Sequence, residues 1–493
     1  MRNVINSQLH FGEVNIANIQ LDPKSRDDIP QILRGLQYIY TTPEVRDQVF
    51  GILEEIRPIQ DGELVNADTG RPGMEQWKIL VLGTLRLGLN IDYDRVHELA
   101  NQHKTLREML GHSGWFDDTQ YTLDTIKNNL RLFTPEILDR INQQVVAAGH
   151  RLVKKSADAG LHTRCDSFVV ETDVHYPTDI NLLLDAVRKI IETCALLCGL
   201  FNLSDWRQSH FLIRQLKKLY RKAQRLRASN STDEDKKQVR RNEIIKVYTE
   251  YLDFARKIIT RAKLTHWNLE RIYGLLAGEL RPLDEYLGHA ERQIDQVTRR
   301  VLLGETIPHH EKVFSIFEPH TEWISKGKAG VPVELGLRVC IIEDQHRFIL
   351  HHAVMEKMAD TAIAVPIVRA TKERFSEIQS VSMDKGFHSP ENQKELAAEV
   401  GCVVIPKKGR LSKADQERER NPEFIDKRRA HPAVESAINA LEVHGLDRCL
   451  DHGIERFKRY VALGVLARNI QRLGAILREQ ERPKRRNFYK KAA

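Results

Sequence analysis

Long apolar runs are missing from this chain of 493 residues. No segment approaches the roughly 20 consecutive apolar residues that a membrane-spanning helix needs. The first residues, MRNVINSQLHFGEVNIANIQ, also lack the basic stretch followed by an apolar stretch that is typical of a secretion signal. We therefore expect a cytoplasmic protein with no membrane partner.

Cysteine is scarce as well, and its spacing does not fit a zinc site. The six cysteines lie mostly inside apolar stretches: Cys165, Cys194, Cys198, Cys340, Cys402 and Cys449. Cys194 and Cys198 share one face of a predicted helix, but no histidine or second cysteine pair nearby completes a zinc-binding set. The pattern predicts buried, reduced thiols.

Positive charge is in excess, and its distribution is more informative than its sum. The chain has 76 Lys and Arg against 68 Asp and Glu, a net charge of +8. Such a balance permits nucleic-acid binding without requiring it. Four segments concentrate the basic residues: KKLYRKAQRLR (217–227), KKGRLSK (407–413), DKRRAH (426–431) and RPKRRNFYKK (482–491).

The length predicts about three domains, and the N-terminal part is helical. Residues 1–70 are weakly patterned, with one possible short helix. In residues 71–155 apolar residues recur at helical spacing, and Asp92 is placed to cap one of several short helices. We interpret this segment as a helical DNA-binding domain related to a helix-turn-helix. A helical bundle that packs on the main domain explains the pattern equally well.

The central part predicts a sheet that is interrupted by a helical insertion. Within residues 156–179, the stretch 162–171 has the composition of a strand. The segment 180–309 is almost wholly helical, with Asp179 as its predicted cap, and we interpret it as an all-α insertion domain.

Strands return in residues 310–480. The following elements are predicted there: a hairpin of strands at 333–343 and 347–354, a helix broken at Pro366, a short strand ending at Asp384, a helix, the strand CVVIP, a basic loop at 407–429, the helix with Glu435, and a long helix at 454–479. Residues 481–493 form a basic tail. This order predicts an α/β fold whose acidic residues gather at one end of the sheet.

Three acidic residues in this sheet region form a candidate metal site. Asp166 lies inside the apolar run CDSFVVE, Asp384 ends another run, and Glu435 opens a helix. An unpaired buried carboxylate is costly, so metal ligation would explain Asp166. Carboxylate oxygens suit Mg²⁺ or Mn²⁺, and two such ions about 4 Å apart promote phosphoryl transfer. Asp173 remains an alternative to Asp166 as the first ligand.

Several motifs resemble those of the DDE transposases of bacterial insertion sequences. They are CDSFVVETDVHYPTD, FEPHTEWISKGKAG…VELG, MDKGFHS and HPAVESAINALEVHGLDRC, with GMEQWKILVLGTLR, LREMLGH and TLDTIKNNL in the N-terminal part. The resemblance runs from about residue 72 to 476. It implies an RNase H-like catalytic fold with its first Asp on the first strand, its second Asp after the fourth, and its Glu on a late helix. Mapped by motif, these residues are Asp166, Asp384 and Glu435.

The resemblance also implies an activity and partners. We expect an enzyme that binds the terminal inverted repeats of an insertion sequence, cleaves the DNA strands with two Mg²⁺ ions (Mn²⁺ as a substitute), and joins them to target DNA. Both ends must be handled together, which implies a homodimer or a larger assembly on double-stranded DNA. Where many relatives carry tyrosine, arginine and lysine around the glutamate, this chain has Arg428, His431 and Glu442.

Basic residues near the predicted site are candidates for DNA contacts. Lys407, Lys408, Arg410, Arg428 and Arg429 lie between the strand CVVIP and the helix with Glu435, so the order of elements places them near the acids. Two further candidates, Lys326 and Lys328, do not have the spacing of a phosphate-binding loop.

Two other functions remain open at this point. One is a different RNase H-like nuclease, such as a junction resolvase. The other is a DNA-binding protein that descends from a transposase and no longer cleaves DNA. Mg²⁺-dependent cleavage of DNA that carries the terminal repeats distinguishes both from the transposase.

Overall fold

A computed structural model describes most of the chain. The described residues are 3–5, 14–56, 59–60, 63–64, 73–112, 117–153, 160–226, 230–275, 277–325 and 332–481. The fold is mixed α/β, mostly helical, with one open mixed sheet. The chain divides into two compact units, which are unit 1 (Met1–Asp173 and Ile324–Ala493) and unit 2 (Val174–Trp323). Lys326, Lys328 and all of the basic tail except Glu481 lie outside the described residues.

The N-terminal part of unit 1 is a set of helices. They are α1 (Asp28–Thr41), α2 (Pro43–Leu53), α3 (Gln76–Gly88), α4 (Tyr93–Gln102), α5 (Lys104–Met109), α6 (Leu123–Leu130) and α7 (Pro135–Val153), with the short paired strands β1 (Ile59–Gln60) and β2 (Glu63–Leu64). Asp92 caps α4 as predicted, because its carboxylate accepts the Arg95 N–H. The described part of the weakly patterned segment 1–70 therefore contains the α-helices α1 and α2, where the sequence indicated one possible short helix.

The first long strand, β3 (Leu161–Thr172), coincides with the predicted strand at 162–171. Unit 2 follows, with α8 (Asp179–Leu200), α9 (Ser209–Arg225), α10 (Glu234–Arg271) and α11 (Ala277–Val297) around its own core. The predicted cap of α8 is wrong. Thr178 accepts the Asn181 N–H and Asn181 accepts the Thr178 N–H, so this reciprocal pair caps the helix, while Asp179 binds Arg300 at 2.5 Å.

The returning chain completes unit 1. Its elements are β4 (Glu322–Ser325), β5 (Val333–Asp344), β6 (Ile349–Met355), α12 (Asp360–Arg374), β7 (Ile378–Met383), α13 (Pro390–Glu399), β8 (Cys402–Val404), α14 (Lys413–Arg420), α15 (Pro422–Ala430), α16 (Ala433–Leu441), β9 (Arg448–Cys449) and α17 (Ile454–Glu481). The predicted hairpin is confirmed, because β5 and β6 pair antiparallel.

Two predictions for this part are wrong. The helix α12 continues through Pro366 instead of breaking there, and its apolar residues on either side of the proline, Ile363 and Ile367 among them, are buried. Burial outweighs the one hydrogen bond that proline cannot make. The predicted basic loop at 407–429 contains α14 and α15. Ser412 and Asp415 form a capping box for α14, and Asn421 caps α15 just ahead of Pro422.

The sheet has its strands in the order β6-β5-β3-β7-β8, with β4 beside β5 and β9 beside the end of β3. β3 is antiparallel to β5 and parallel to β7, and β8 is parallel to β7. In the parallel pair, Cys165 is opposite Met383. The residue that follows each of these two is acidic, so this register brings Asp166 and Asp384 to neighbouring positions where β7 ends.

Both faces of the sheet are covered by helices. Residues of β3 and β5 such as Phe168 and Ile341 belong to a core that includes α16, α17 and the N-terminal helices, whereas Cys165 and Cys340 face a second core with α12 and β7. The backbones of α1 and α17 approach each other closely at Gly35, where a Cβ atom would lie 2.2 Å from the Ile470 carbonyl oxygen.

The buried polar groups of unit 1 include one fully hydrogen-bonded amide, and the cysteines agree with the prediction of buried, reduced thiols except at Cys402. The Asn469 side chain on α17 is fully buried and satisfied by three hydrogen bonds, to the backbone of Ile349 (3.0 and 2.8 Å) and to Asn142 (2.7 Å). All six cysteines are free, and all are buried except Cys402, which is half-buried. Among the described residues, no helix is long and apolar enough to cross a lipid bilayer.

Candidate functional site

Asp166 is the centre of a group of carboxylates. Its side chain is half-buried on β3, and its Oδ1 atom accepts the Ser167 N–H at 2.8 Å. Burial, together with the negative charges of Asp384, Asp360 and Glu435, raises the pKa of Asp166 to about 6, although the hydrogen bond from Ser167 lowers it. The structure therefore brings Asp384 and Glu435, together with a fourth carboxylate, Asp360, close enough to Asp166 to repel its charge.

Asp384 lies at the end of a strand and Glu435 at the start of a helix, and both are near Asp166. Asp384 is exposed directly after β7, and its carbonyl accepts the Phe387 N–H in a tight turn. Glu435 is exposed in the first turn of α16, where the helix dipole stabilises negative charge. The opposite side of α16 is anchored in the core by Val434 and Leu441. Exposed carboxylates on anchored elements remain accessible to a ligand.

Asp360 is the member of the group that the sequence interpretation missed. It lies in the first turn of α12, and its Oδ1 atom accepts the Ser167 hydroxyl at 2.7 Å. Its Oδ2 atom is 3.3 Å from the point where a Cβ on Gly386 would lie, so Asp360 also borders the turn after Asp384. An acid that opens a predicted helix was the available signal, and the same feature had selected Glu435.

Asp173, the alternative first ligand, lies elsewhere. It is seven residues further along the chain than Asp166, which corresponds to about 23 Å in an extended strand. Its side chain is 47% exposed and forms an ion pair with Arg448 at 3.7 Å. The other carboxylates of the group therefore raise the pKa of Asp166, whereas Asp173 pairs with Arg448.

A histidine and an arginine border the acidic group. His431 lies between α15 and α16, with its Nδ1 atom 3.1 Å from the Ser382 hydroxyl. Burial lowers the pKa of His431, and the nearby Arg164 guanidinium lowers it further, although Asp384 and Glu435 act in the opposite direction. Arg164 also binds Glu343 at 3.2 Å. A neutral imidazole and a guanidinium therefore lie beside the carboxylates.

The basic residues proposed for DNA contacts differ in their availability. Lys407 is half-buried and its Nζ atom binds Asp415 at 2.5 Å, while its N–H donates to Glu419. Arg428 is exposed but lies 3.6 Å from Glu419. Lys408, Arg410 and Arg429 are exposed. Lys408, Arg410 and Arg429 are therefore the side chains most accessible to a polyanion, whereas Lys407 is paired with Asp415.

The carboxylate group fits hard divalent cations by its chemistry. All four members offer oxygen ligands only, which Mg²⁺ and Mn²⁺ prefer. A bound cation would also relieve the repulsion that raises the pKa of Asp166. As the side chains stand, no set of three or more His, Cys, Asp or Glu residues in the described part of the chain is arranged to hold a metal ion.

Comparison of the chain with protein-family models, with curated proteins and with solved structures finds no match. Any assignment of function depends on the residues and the geometry described above.

Proposed function

We propose that this protein is a DDE transposase, an enzyme that cleaves DNA strands at the ends of an insertion sequence and transfers them to target DNA. The observation that carries the proposal is the convergence of Asp166, Asp384 and Glu435, which are 218 and 51 residues apart along the chain. Carboxylates at such separations gather against their mutual repulsion, and a shared cation is a physical reason for that arrangement.

The order of the strands supports an RNase H-like catalytic domain. Along the run β6-β5-β3-β7-β8, the chain visits β3 first, then β5, β6, β7 and β8. Asp166 is on the first of these strands, Asp384 follows the fourth, and Glu435 is on a late helix. These are the positions that the resemblance to DDE transposases implies for the three acids.

In the proposed enzyme, Asp166, Asp384 and Glu435 hold two Mg²⁺ ions, with Mn²⁺ as a substitute, and Asp360 borders the same group. Such ions supply charge stabilisation for the attacking and leaving oxygens of a phosphoryl transfer. The cationic Arg164 and the neutral His431 provide hydrogen-bonding groups beside the carboxylates. The exposed Lys408, Arg410 and Arg429 are assigned to DNA phosphates near the site.

Recognition of the terminal repeats is assigned to the helices between residues 71 and 155. The helix α3 contributes to the core, because all of its residues except Lys78 are buried. Base contacts therefore belong to the shorter helices around it, of which α4 and α6 each have exposed polar residues. Two ends must be processed together, so we assign a homodimer or larger assembly as the working form.

Strand cleavage by variants of the full chain tests the proposal. The substrate is a duplex that carries the inverted repeats flanking the coding region, with Mg²⁺ present. Asp166→Asn, Asp384→Asn and Glu435→Gln should each lose cleavage at least 100-fold and still bind the duplex, since removing a ligand from a metal site abolishes the charge stabilisation. Asp173→Asn is the matched control and should retain activity.

The outcomes separate the competing functions. Full cleavage by Asp166→Asn together with loss in Asp173→Asn would move the first ligand to Asp173. Cleavage of branched DNA without joining to target DNA would identify a nuclease of the junction-resolvase type. Binding of the terminal repeats without any Mg²⁺-dependent cleavage by the wild-type chain would identify a DNA-binding protein that has lost catalysis.

A further inference from the structure

The helix α9 of unit 2 carries positive charge without any negative charge. Its 17 residues include six cations and no Asp or Glu: Arg214, Lys217, Lys218, Arg221, Lys222 and Arg225. All six side chains are exposed. The sequence showed this segment as a basic cluster, and the function proposed above assigns it no role.

The cations of α9 lie on one side of the helix. Arg214, Lys218, Arg221 and Arg225 are spaced by four, three and four residues, which returns to the same side at 100° per residue. Leu216 and Ala223, on the opposite side, are fully buried in the core of unit 2. From Arg214 to Arg225 the row is about 16 Å long at 1.5 Å per residue.

On the neighbouring helix α10, in contrast, several cations are paired with acidic residues. On α10, Lys236, Lys237, Arg240 and Arg256 each bind an acid three residues away, at 3.3, 2.7, 2.6 and 3.0 Å. Within the described residues, the six cations of α9 make one ion pair, between Lys222 and Glu250 at 3.9 Å. A solvated helix face that has no ligand usually mixes both signs, as α10 does. The face of α9 is instead left with uncompensated charge.

The geometry points to this face of α9 as a binding surface for the phosphates of double-stranded DNA, independent of base sequence. A duplex presents about one negative charge per 1.7 Å of its axis, so a row of this length can meet several phosphates at once. A membrane surface fits less well, because an interfacial helix needs a free apolar side and that side of α9 is buried. The choice of DNA over other polyanions rests on the function proposed above.

Matched charge variants of the full chain test this inference. In the α9 variant, Arg214, Lys218, Arg221 and Arg225 are changed to Gln; in the control, Lys236, Lys237, Arg240 and Arg256 of α10 are changed to Gln. Both lose four charges at exposed or half-exposed helix positions. Affinity for a duplex of mixed sequence without terminal repeats is measured at several salt concentrations, with EDTA present so that no metal-dependent cleavage occurs.

We expect the α9 variant to flatten the slope of log affinity against log salt by about 3.6 units, since each of the four lost phosphate contacts removes about 0.9. The control should keep the wild-type slope within about one unit. Equal slopes in the two variants, or a wild-type slope in the α9 variant, would overturn the inference. So would a loss of binding to phosphatidylserine vesicles with unchanged duplex binding, which would assign the face to a membrane.

These measurements separate the inference from the proposed catalytic function. Asp166→Asn leaves the α9 face intact and should show the wild-type salt slope without cleavage. A flattened slope in the α9 variant therefore supports the surface even if the acidic residues prove inactive. Normal cleavage together with an unchanged salt slope in the α9 variant would contradict the proposed DNA-binding surface and would leave the catalytic proposal unaffected.

Discussion

At the scale of single residues, the charge of Asp166 opposes folding. Its carboxylate is half-buried in a strand, and three other carboxylates act on it. A group whose pKa is raised to about 6 from an ordinary value of 3.8 is more stable in its protonated form in the folded chain. Folding stability therefore decreases as the pH rises from about 4 to 6, because the folded state binds more protons than the unfolded state in that range.

Replacing Asp166 by Asn should stabilise the metal-free protein at neutral pH. Asn cannot ionise, so the variant avoids both the burial of a charge and the repulsion. The raised pKa of Asp166 corresponds to a gain of about 1–2 kcal/mol after allowance for solvent screening. The gain should be complete above pH 6 and absent below pH 4. Urea unfolding in EDTA at pH 4 and pH 8 measures it.

Asp173→Asn supplies the control for this stability measurement. Asp173 is exposed and paired with Arg448, so its replacement should bring no gain that depends on pH in this way. Adding Mg²⁺ should raise the unfolding temperature of the wild type more than that of Asp166→Asn. An equal rise in the unfolding temperatures of the wild type and Asp166→Asn on adding Mg²⁺ would contradict a role of Asp166 in metal binding.

At the scale of elements, the segment between β8 and α16 combines a structural part with an accessible part. Asp415 accepts hydrogen bonds from Lys407 and from Ser412, and these bonds hold the pKa of its carboxyl well below the ordinary value. Lys407 thus belongs to the capping of α14. Lys408 and Arg410, which follow it, are exposed.

Alanine variants of this segment should therefore have two different effects, one on DNA binding and the other on stability. Changing Lys408, Arg410 and Arg429 together should flatten the salt slope of duplex binding by about 2–3 units, at 0.9 per phosphate contact. Lys407→Ala should lower the unfolding temperature and leave the slope nearly unchanged. Binding titrations and thermal unfolding measure the two effects. A slope change in Lys407→Ala equal to one third of that in the triple variant would show that Lys407 leaves Asp415 to bind DNA.

At the scale of the whole molecule, the two units differ in how their cores are built. Unit 2 has its own core, in which the Trp206 indole donates to Thr265 at 2.9 Å and the Tyr251 hydroxyl donates to the Ile180 carbonyl at 2.9 Å. In unit 1, α3 and α7 bury their apolar residues in a core shared with α1, α17 and the sheet. The predicted DNA-binding domain at 71–155 thus belongs to the same compact unit as the sheet.

This difference predicts the behaviour of two fragments. Residues 174–323 should fold alone, with helical circular dichroism and one cooperative thermal transition, because their core is closed within the fragment. Residues 72–150 should stay largely unfolded or aggregate, because the partners of their apolar face are absent. A cooperative transition in the second fragment would contradict this account. Recognition of the terminal repeats is accordingly best measured in the full chain.

Local chemistry in the sequence determined most of the elements. The composition of residues 162–171 predicts β3, the turn DQH predicts the pairing of β5 with β6, and Asp92 predicts the start of α4. The three acids could be selected because each interrupts or borders an apolar element, a property of a few adjacent residues. The α14 and α15 helices were missed although Ser412, Asp415 and Asn421 carry their capping signals, since high charge obscured the apolar periodicity.

Tertiary structure alone decided which of these residues meet. The parallel register of β3 with β7 places Asp166 beside Asp384, and no local pattern encodes that register across more than 200 residues. Asp360 joins the group only because α12 begins next to the turn after β7, and Lys407 is engaged only because α14 folds back on it. Secondary structure depends on neighbours in the sequence, whereas the composition of a site depends on long-range packing, which brings together residues that the sequence separates.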